Sequence, residues 1–265
     1  MTMSRTSRLP RKVSTALRIF REEGIGGVAA AAADRTDLWL KLFSARNLTS
    51  VTLDGCTFEL ESVPNTPMKR ALLQQDYEVL ERRAVLRHLN PNLPVIELGG
   101  CIGVVACITN RRLVHPQLHV VVEANPNAVP LLDRNRVSNR CEFEILNTAI
   151  AYGQSSVTFF PAEDYCFNSL VHERGEAAVT VPATRLCDIV NQRGFDSFTL
   201  ICDIEGYEYD LVLNEFDVLR KADTIILETH ARLIGEEKTA YMLSKLVENG
   251  LRVIDQDSYV VVMRR

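Results

Sequence analysis

The sequence has no apolar run approaching the ~18 residues that a membrane-spanning helix needs. The small-residue stretch 26–33 is too short and too weakly apolar, and no signal-peptide layout is present. No C-x-x-C pair occurs. The seven cysteines (Cys56, Cys101, Cys107, Cys141, Cys166, Cys187 and Cys202) are odd in number and sit mostly among apolar neighbours. That pattern excludes a disulfide framework or a zinc ribbon and predicts reduced thiols in a cytoplasmic protein. Basic charge is not in excess: 30 Lys and Arg face 34 Asp and Glu, a net charge of −4. Nucleic acid is therefore not an expected partner. There is one tryptophan, Trp39, which reads as a packing anchor, and there are no internal repeats. Glycine is sparse, 13 in 265 residues, so three glycines within positions 99–103 stand out.

Those glycines follow Val95-Ile96-Glu97-Leu98 and precede the apolar run Val104–Ile108. The pattern predicts a buried strand, a tight turn and a helix, the opening unit of a nucleotide-binding α/β sheet. A dinucleotide loop requires G-x-G-x-x-G. Here Gly99-Gly100-Cys101-Ile102-Gly103 follows Leu98, so NAD and FAD lose ground. The E-x-G-x-x-x-G spacing resembles motif I of S-adenosylmethionine (SAM)-dependent methyltransferases, although the same residues also suit an ordinary strand–turn–helix packing glycine. In the methyltransferase reading Glu97 faces the cationic amino-acid end of the ligand. A β-branched side chain at Gly99 would then intrude on ligand space.

A second strand, about 118–122, ends at Glu123-Ala124-Asn125-Pro126. An acid about 20 residues beyond a glycine turn is placed to accept both hydroxyls of a ribose. Asn125 and Pro126 read as the N-cap and first position of the next helix. After strand 141–146, Asn147 and Thr148 are candidates for the adenine amino group, with small Ala149 letting the ring lie flat.

The chemical candidates are Asp203, Glu205 and His230. Asp203-Ile204-Glu205-Gly206-Tyr207-Glu208 follows the apolar strand 198–202, and Leu227-Glu228-Thr229-His230 ends the next one. Strand carboxyl ends form the ligand crevice of an open α/β sheet, so these residues should converge on one rim. A histidine beside a carboxylate is a candidate general base. The same four residues, Asp203, Glu205, Glu228 and His230, have the chemistry to ligate a hard divalent cation. The metal-free version is preferred, with His230 or Glu205 as the base, so no metal ligand is assigned. Glu208 falls in a first helical turn, where the helix dipole favours an acid.

Elsewhere, residues 5–21 carry six basic residues before Glu22, with Val13, Ala16, Leu17 and Phe20 at helical spacing. This helix either touches an anionic membrane surface or a partner, or simply presents a solvated face. Residues 48–63 alternate about Asp54-Gly55 as a hairpin with a type I′ turn. Residues 68–90 predict one helix. Beyond Glu123, helices at 126–136, 185–193, 207–219 and 237–249 alternate with strands, and strands 251–255 and 259–264 close the chain. A terminal hairpin cannot be wholly parallel, which matches a seven-stranded methyltransferase sheet with a reversed last strand.

These residues together resemble the FkbM family of SAM-dependent methyltransferases. The likeness rests on Tyr77-Glu78, Glu97 through Gly103, Glu123-Ala124-Asn125-Pro126, Asn135, Ala149, Ser169, Asp203 through Glu208 and Glu228-Thr229-His230, and covers roughly 70–262. It departs from the family where Glu97 replaces Asp and Gly100-Cys101 replace Ala-Asn. The resemblance implies a class I (Rossmann-like) three-layer α/β fold over 67–265, with 1–66 as a helical and hairpin extension. It also implies SAM as cofactor, bound by Glu97, Gly99, Gly100, Cys101, Gly103, Glu123, Asn147, Thr148 and Ala149. Transfer to a hydroxyl of a sugar, glycan or natural product follows. The alternatives are a non-catalytic SAM-binding partner module and a nicotinamide-dependent oxidoreductase.

Overall fold

The computed structural model describes residues 48–63, 66–161, 168–169 and 178–265. The expected helices over 5–21 and around Trp39 lie outside the described residues. The compact unit described below runs from Thr49 to Arg265.

It opens with the hairpin β1 (Ser50–Leu53) and β2 (Cys56–Glu59), in which Leu53 pairs with Cys56. Asp54 and Gly55 have φ of 46° and 87°, the left-handed pair a type I′ turn requires. Alternation buries Leu53, Cys56 and Phe58 in the main core. The sequence reading places this hairpin with the N-terminal extension. By packing it belongs to the same compact unit as the sheet. Two asparagines on helix Val129–Ser138 and its end secure it. Asn135 Oδ1 accepts from Glu59 N (3.1 Å), and Asn139 Oδ1 accepts from Thr57 N (2.7 Å).

Residues 68–90 form two helices, Thr66–Gln74 and Val79–His88, where one was expected. The break is built by Arg82, whose guanidinium is almost wholly buried. Its Nη1 donates to the carbonyls of Gln75 (3.0 Å) and Tyr77 (2.9 Å), and its Nε donates to Asp54 Oδ2 (2.7 Å). Those bonds hold a left-handed Gln75 and Glu78 between the helices, with φ of 64° and 48°.

The strands that follow are β3 (Val95–Leu98), β4 (His119–Val122), β5 (Glu144–Leu146), the short β6 (Ala149–Ile150), β7 (Ser156–Pro161), β8 (Asn168–Ser169) and β9 (Val179–Thr184), then β10 (Phe198–Cys202), β11 (Ala222–Glu228), β12 (Arg252–Asp257) and β13 (Val260–Arg264). Seven of them make the central sheet, in the order β12-β13-β11-β10-β3-β4-β5. The five strands from β11 to β5 are parallel, and β13 runs antiparallel to both neighbours. Strands β6 to β9 form a separate small sheet.

Both faces of the sheet are covered, which is why every residue of β3, β4 and β10 is buried, Glu97, His119 and Thr199 included, and apolar residues are not confined to alternate positions. One face packs Val95, Val121 and Ile201 against the hairpin and the helices up to 138. The other packs Ile96, Leu200 and Leu227 against helices Leu186–Arg193, Glu208–Asn214 and Glu236–Glu248. Each fully buried Leu, Ile or Phe contributes about 1.5–3 kcal/mol. Three layers, this strand order and the inserted antiparallel β13 define the class I methyltransferase (Rossmann-like) fold. Two predicted helices differ in detail. Asn125 Oδ1 accepts from Asn127 N (3.0 Å) in a turn, so the helix starts at Val129 and not at Pro126. The 207–219 segment splits at Glu215 into Glu208–Asn214 and Phe216–Leu219. Among the described residues no helix is long and apolar enough to cross a membrane.

Candidate active site

Strand order reverses at β3: β4 and β5 lie on one side of it, β10 and β11 on the other. The switch point thus falls between β3 and β10, and ligands of open α/β sheets bind outside the carboxyl ends of such strands. Gly99 leaves β3 there and Asp203 leaves β10. Their backbones touch. Asp203 N donates to Leu98 O (2.9 Å), and a Cβ on Gly99, whose φ is +92°, would lie 1.7 Å from the Asp203 carbonyl oxygen. Gly100 and Gly103 are crowded by side chains, with added Cβ atoms 2.4 Å from Val121 Cγ1 and 2.5 Å from Leu132 Cδ1. The sequence reading gave a side chain at Gly99 ligand space to enter. The structure corrects this: the nearest obstacle is the neighbouring strand's backbone.

The turn is fastened to β4. Gly99 N and Gly100 N both donate to Val122 O (2.9 and 3.1 Å). Glu123, buried at the end of β4, completes the fastening: Oε2 accepts from Cys101 N (2.7 Å) and Oε1 from Asn125 N (2.6 Å). Cys101 needs that bond, because it is a non-glycine residue held at φ 42°. Burial pushes the Glu123 carboxyl up to about 7, and the two backbone N–H groups pull it back toward the ionised form. Tyr77, one of the residues that carry the family resemblance, donates its hydroxyl to Cys101 Sγ (3.2 Å).

The other predicted cofactor residues are distributed as follows. Glu97 is buried in β3 with its carboxylate 3.5 Å from His119 Nε2. His119 sits opposite Val95, so Glu97 faces back along the strand, away from the carboxyl-end crevice. Burial raises its pKa. This partner was not foreseen, and it engages the carboxylate expected to meet the ligand's amino-acid end. Asn147 lies at the crevice side of β5, with Nδ2 donating to the carbonyls of Glu123 (2.8 Å) and Ala124 (3.3 Å). Its side-chain oxygen is left as an acceptor. The Thr148 hydroxyl donates to Pro182 O (2.6 Å), and Ala149 is buried beside Ala151 and Val181.

The rim candidates converge. Because β10 and β11 pair with Cys202 opposite Leu227, the segments leaving them are adjacent. His230 is the hub. Its Nδ1 lies 3.0 Å from Glu208 Oε1, and its Nε2 lies 3.4 Å from Glu205, 3.5 Å from Asp203 and 3.6 Å from Glu228. The expected proximity of Asp203 and His230 is therefore met. Glu205 and Gly206 turn the chain with φ of 53° and 99°, a strained non-glycine conformation of the kind that clusters at functional sites. Desolvation opposes charge on the imidazole, but the surrounding carboxylates outweigh it and raise His230 to about 11. Desolvation and the charges of Glu205 and Glu208 push Asp203 up to about 8 against the pull of His230. Its side chain is 29% exposed, but Oδ1 itself is buried, so the desolvation is local to that atom. Glu228 rises to about 9 for the same reasons, with Asp203 and Glu81 adding to its desolvation.

Three participants escaped the sequence reading. Glu208 suits a first helical turn as a dipole-stabilising acid, yet it is fully buried against His230. Glu81 reaches the cluster from a helix more than a hundred positions away. His119 has no local signal at all. Only Glu208 was within reach of inference, through its place two residues after Gly206.

No family model matches the chain, and no curated protein matches it. Among solved structures, the ribosomal protein L11 methylase of Lactobacillus delbrueckii subsp. bulgaricus is 9% identical, covering 71% of this chain and 77% of that one at a TM-score of 0.42. A putative O-methyltransferase from Klebsiella pneumoniae is 11% identical, with coverages of 70% and 79% and a TM-score of 0.42. TYW2 of M. jannaschii, solved in complex with AdoMet, is 14% identical, with coverages of 81% and 83% and a TM-score of 0.42. Scores of this size leave the fold assignment resting on the strand order itself.

Proposed function

We propose that this chain is a SAM-dependent methyltransferase acting on a hydroxyl of a sugar, glycan or natural product, the activity its FkbM-like motifs imply. The observation that carries the reading is the bond from Glu123 to the glycine turn, which sets a buried carboxylate beside the switch point of the sheet. Each Glu123 oxygen accepts one backbone N–H and keeps further acceptor capacity, which fits the two hydroxyls of a ribose. Hydroxyl donors there would favour the ionised carboxylate, relieving the cost of its burial. The free side-chain oxygen of Asn147 fits an adenine amino group. When bound, SAM supplies an electrophilic methyl group.

The chain's own task is then to hold an acceptor hydroxyl in line and take its proton. Both nitrogens of His230 face carboxylates, so neither is open to a hydroxyl. Glu205, 26% exposed on the strained turn, is the better placed base, and His230 positions it. Asp203, on the adjacent strand end, orients the acceptor. The proposed setting is cytoplasmic, consistent with six described cysteines that are all free.

The test is transfer from methyl-labelled SAM to a panel of hydroxylated glycans and polyketide-type compounds, read by mass spectrometry. Labelled product from the parent protein, reduced about 10²–10⁴-fold by Glu205→Gln with KM for SAM unchanged, is the expected result. Equal turnover in the variant would remove Glu205 from the base role.

A further inference from the structure

We infer that Asp203, Glu208 and His230 form a binding site for a divalent cation of the magnesium–manganese class, at the carboxyl ends of β10 and β11. One ligand atom from each of the three lies within 4.8 Å of the other two. Opposed ligands span about 4 Å around magnesium and about 4.6–5.2 Å around calcium, from bond lengths of roughly 2.0–2.1 and 2.3–2.6 Å. The three residues therefore already stand at coordination spacing.

A second observation points the same way. Two buried carboxylate oxygens in the cluster have no hydrogen-bond partner, Asp203 Oδ1 and Glu208 Oε2, and His230 Nδ1, 3.0 Å from Glu208 Oε1, is not aligned with it for a good hydrogen bond. Glu208 is 0% exposed, so the unpartnered oxygen is sealed from solvent. A buried carboxylate oxygen left without a partner bears the full penalty of its desolvation. Buried polar atoms are rarely left so, and two carboxylate oxygens in one cluster require an explanation.

Charge balance is the third. Among the described residues the carboxylates of Asp203, Glu205, Glu208 and Glu228 share one cationic partner, the His230 ring. Glu81, buried on the helix opposite, also acts on Glu228. A divalent ion at the centre would replace the proton of the His230 ring, which is released to solvent as the neutral imidazole ligates, and would supply the positive charge the cluster lacks. Glu205 and Glu228, both partly exposed, flank the ring's Nε2 and are placed to complete the shell directly or through water. Carboxylates favour magnesium, calcium and manganese, whereas imidazole suits transition ions, and manganese is the transition ion of the carboxylate-preferring group. On the methyltransferase reading, and only for this consequence, the ion would draw an acceptor hydroxyl to the rim and make it more acidic.

The experiment uses the full chain, stripped with a chelator and titrated with Mn²⁺ by electron paramagnetic resonance, with Mg²⁺ as competitor. The expected result is one Mn²⁺ per chain, displaced by Mg²⁺, and weakened at least ten-fold by Glu208→Gln and by Asp203→Asn. Asp255→Asn, on the edge strand β12 and paired with His88, should bind as the parent does. Circular dichroism checks folding, and if Glu208→Gln does not fold, Asp203→Asn and His230→Gln decide. No Mn²⁺ or Mg²⁺ bound by the folded parent, or equal binding in every folded variant, overturns the site. SAM titrated into the same preparations separates the two readings. Mn²⁺ bound without SAM would overturn the methyltransferase reading and leave the site standing, whereas SAM bound without Mn²⁺ would overturn the site alone.

Discussion

Replacing Gly99 with alanine tests the central joint of the fold. Alanine at φ +92° takes on left-handed strain of about 1–2 kcal/mol. Its Cβ would also sit 1.7 Å from the carbonyl oxygen of Asp203, the residue just past β10, a strand hydrogen-bonded on both sides. That contact is relieved only by moving β3 and β10 apart, and overpacking of this kind adds about 1–3 kcal/mol. The sum is about 2–5 kcal/mol, or a Tm lower by roughly 5–20 °C for a domain of this size. Gly194→Ala is the matched control, since Gly194 also has positive φ, +65°, but nothing lies within 4 Å of an added Cβ. It should lose only the backbone strain. Urea unfolding of both variants isolates the difference, and equal losses would refute the claim that Gly99 is required by contact with Asp203.

Three further outcomes are expected. Arg82→Met should destabilise the protein by about 3 kcal/mol, because it strands Asp54 and frees the carbonyls of Gln75 and Tyr77; equilibrium denaturation measures this. Glu123 has a folded pKa near 7 against an ordinary 4.5, so the folded ligand-free chain holds the proton more tightly than the unfolded one. Its contribution to stability is full below pH 4.5 and is lost as the pH rises toward 7. Glu123→Gln should remove about 3 kcal/mol of that decline, seen as a flatter stability curve over this window. Asn139→Ala should loosen the hairpin by about 1–2 kcal/mol, since Asn139 holds both backbone groups of Thr57. Faster hydrogen exchange confined to residues 50–59 would report it.

Much of this architecture was legible because local chemistry and tertiary demand agree. Asp54-Gly55 between alternating segments is the signal of a primed turn, and Val95-Ile96 and the apolar runs at 118–122 and 198–202 read as buried strands. The adjacency of Asp203 and His230 followed from topology alone, since parallel neighbouring strands bring their carboxyl ends together. What escaped depends on partners distant in sequence. Nothing near residues 75–78 announces a helix break, because its cause is Arg82 reaching for Asp54 across the fold. Glu97 carried a motif position, yet its carboxylate turns back to His119. The three glycines of the turn were correctly singled out for a cause that proved different: each lies against a neighbouring strand or helix.

The most direct measurement of the account is calorimetric titration of the chain with SAM and, separately, with NAD. The account predicts saturable binding of SAM, none of NAD, and SAM binding weakened by about 1.5–3 kcal/mol in Glu123→Ala, as lost charge-assisted hydrogen bonds require. Binding of NAD in preference to SAM, or SAM affinity unchanged by Glu123→Ala, would contradict it.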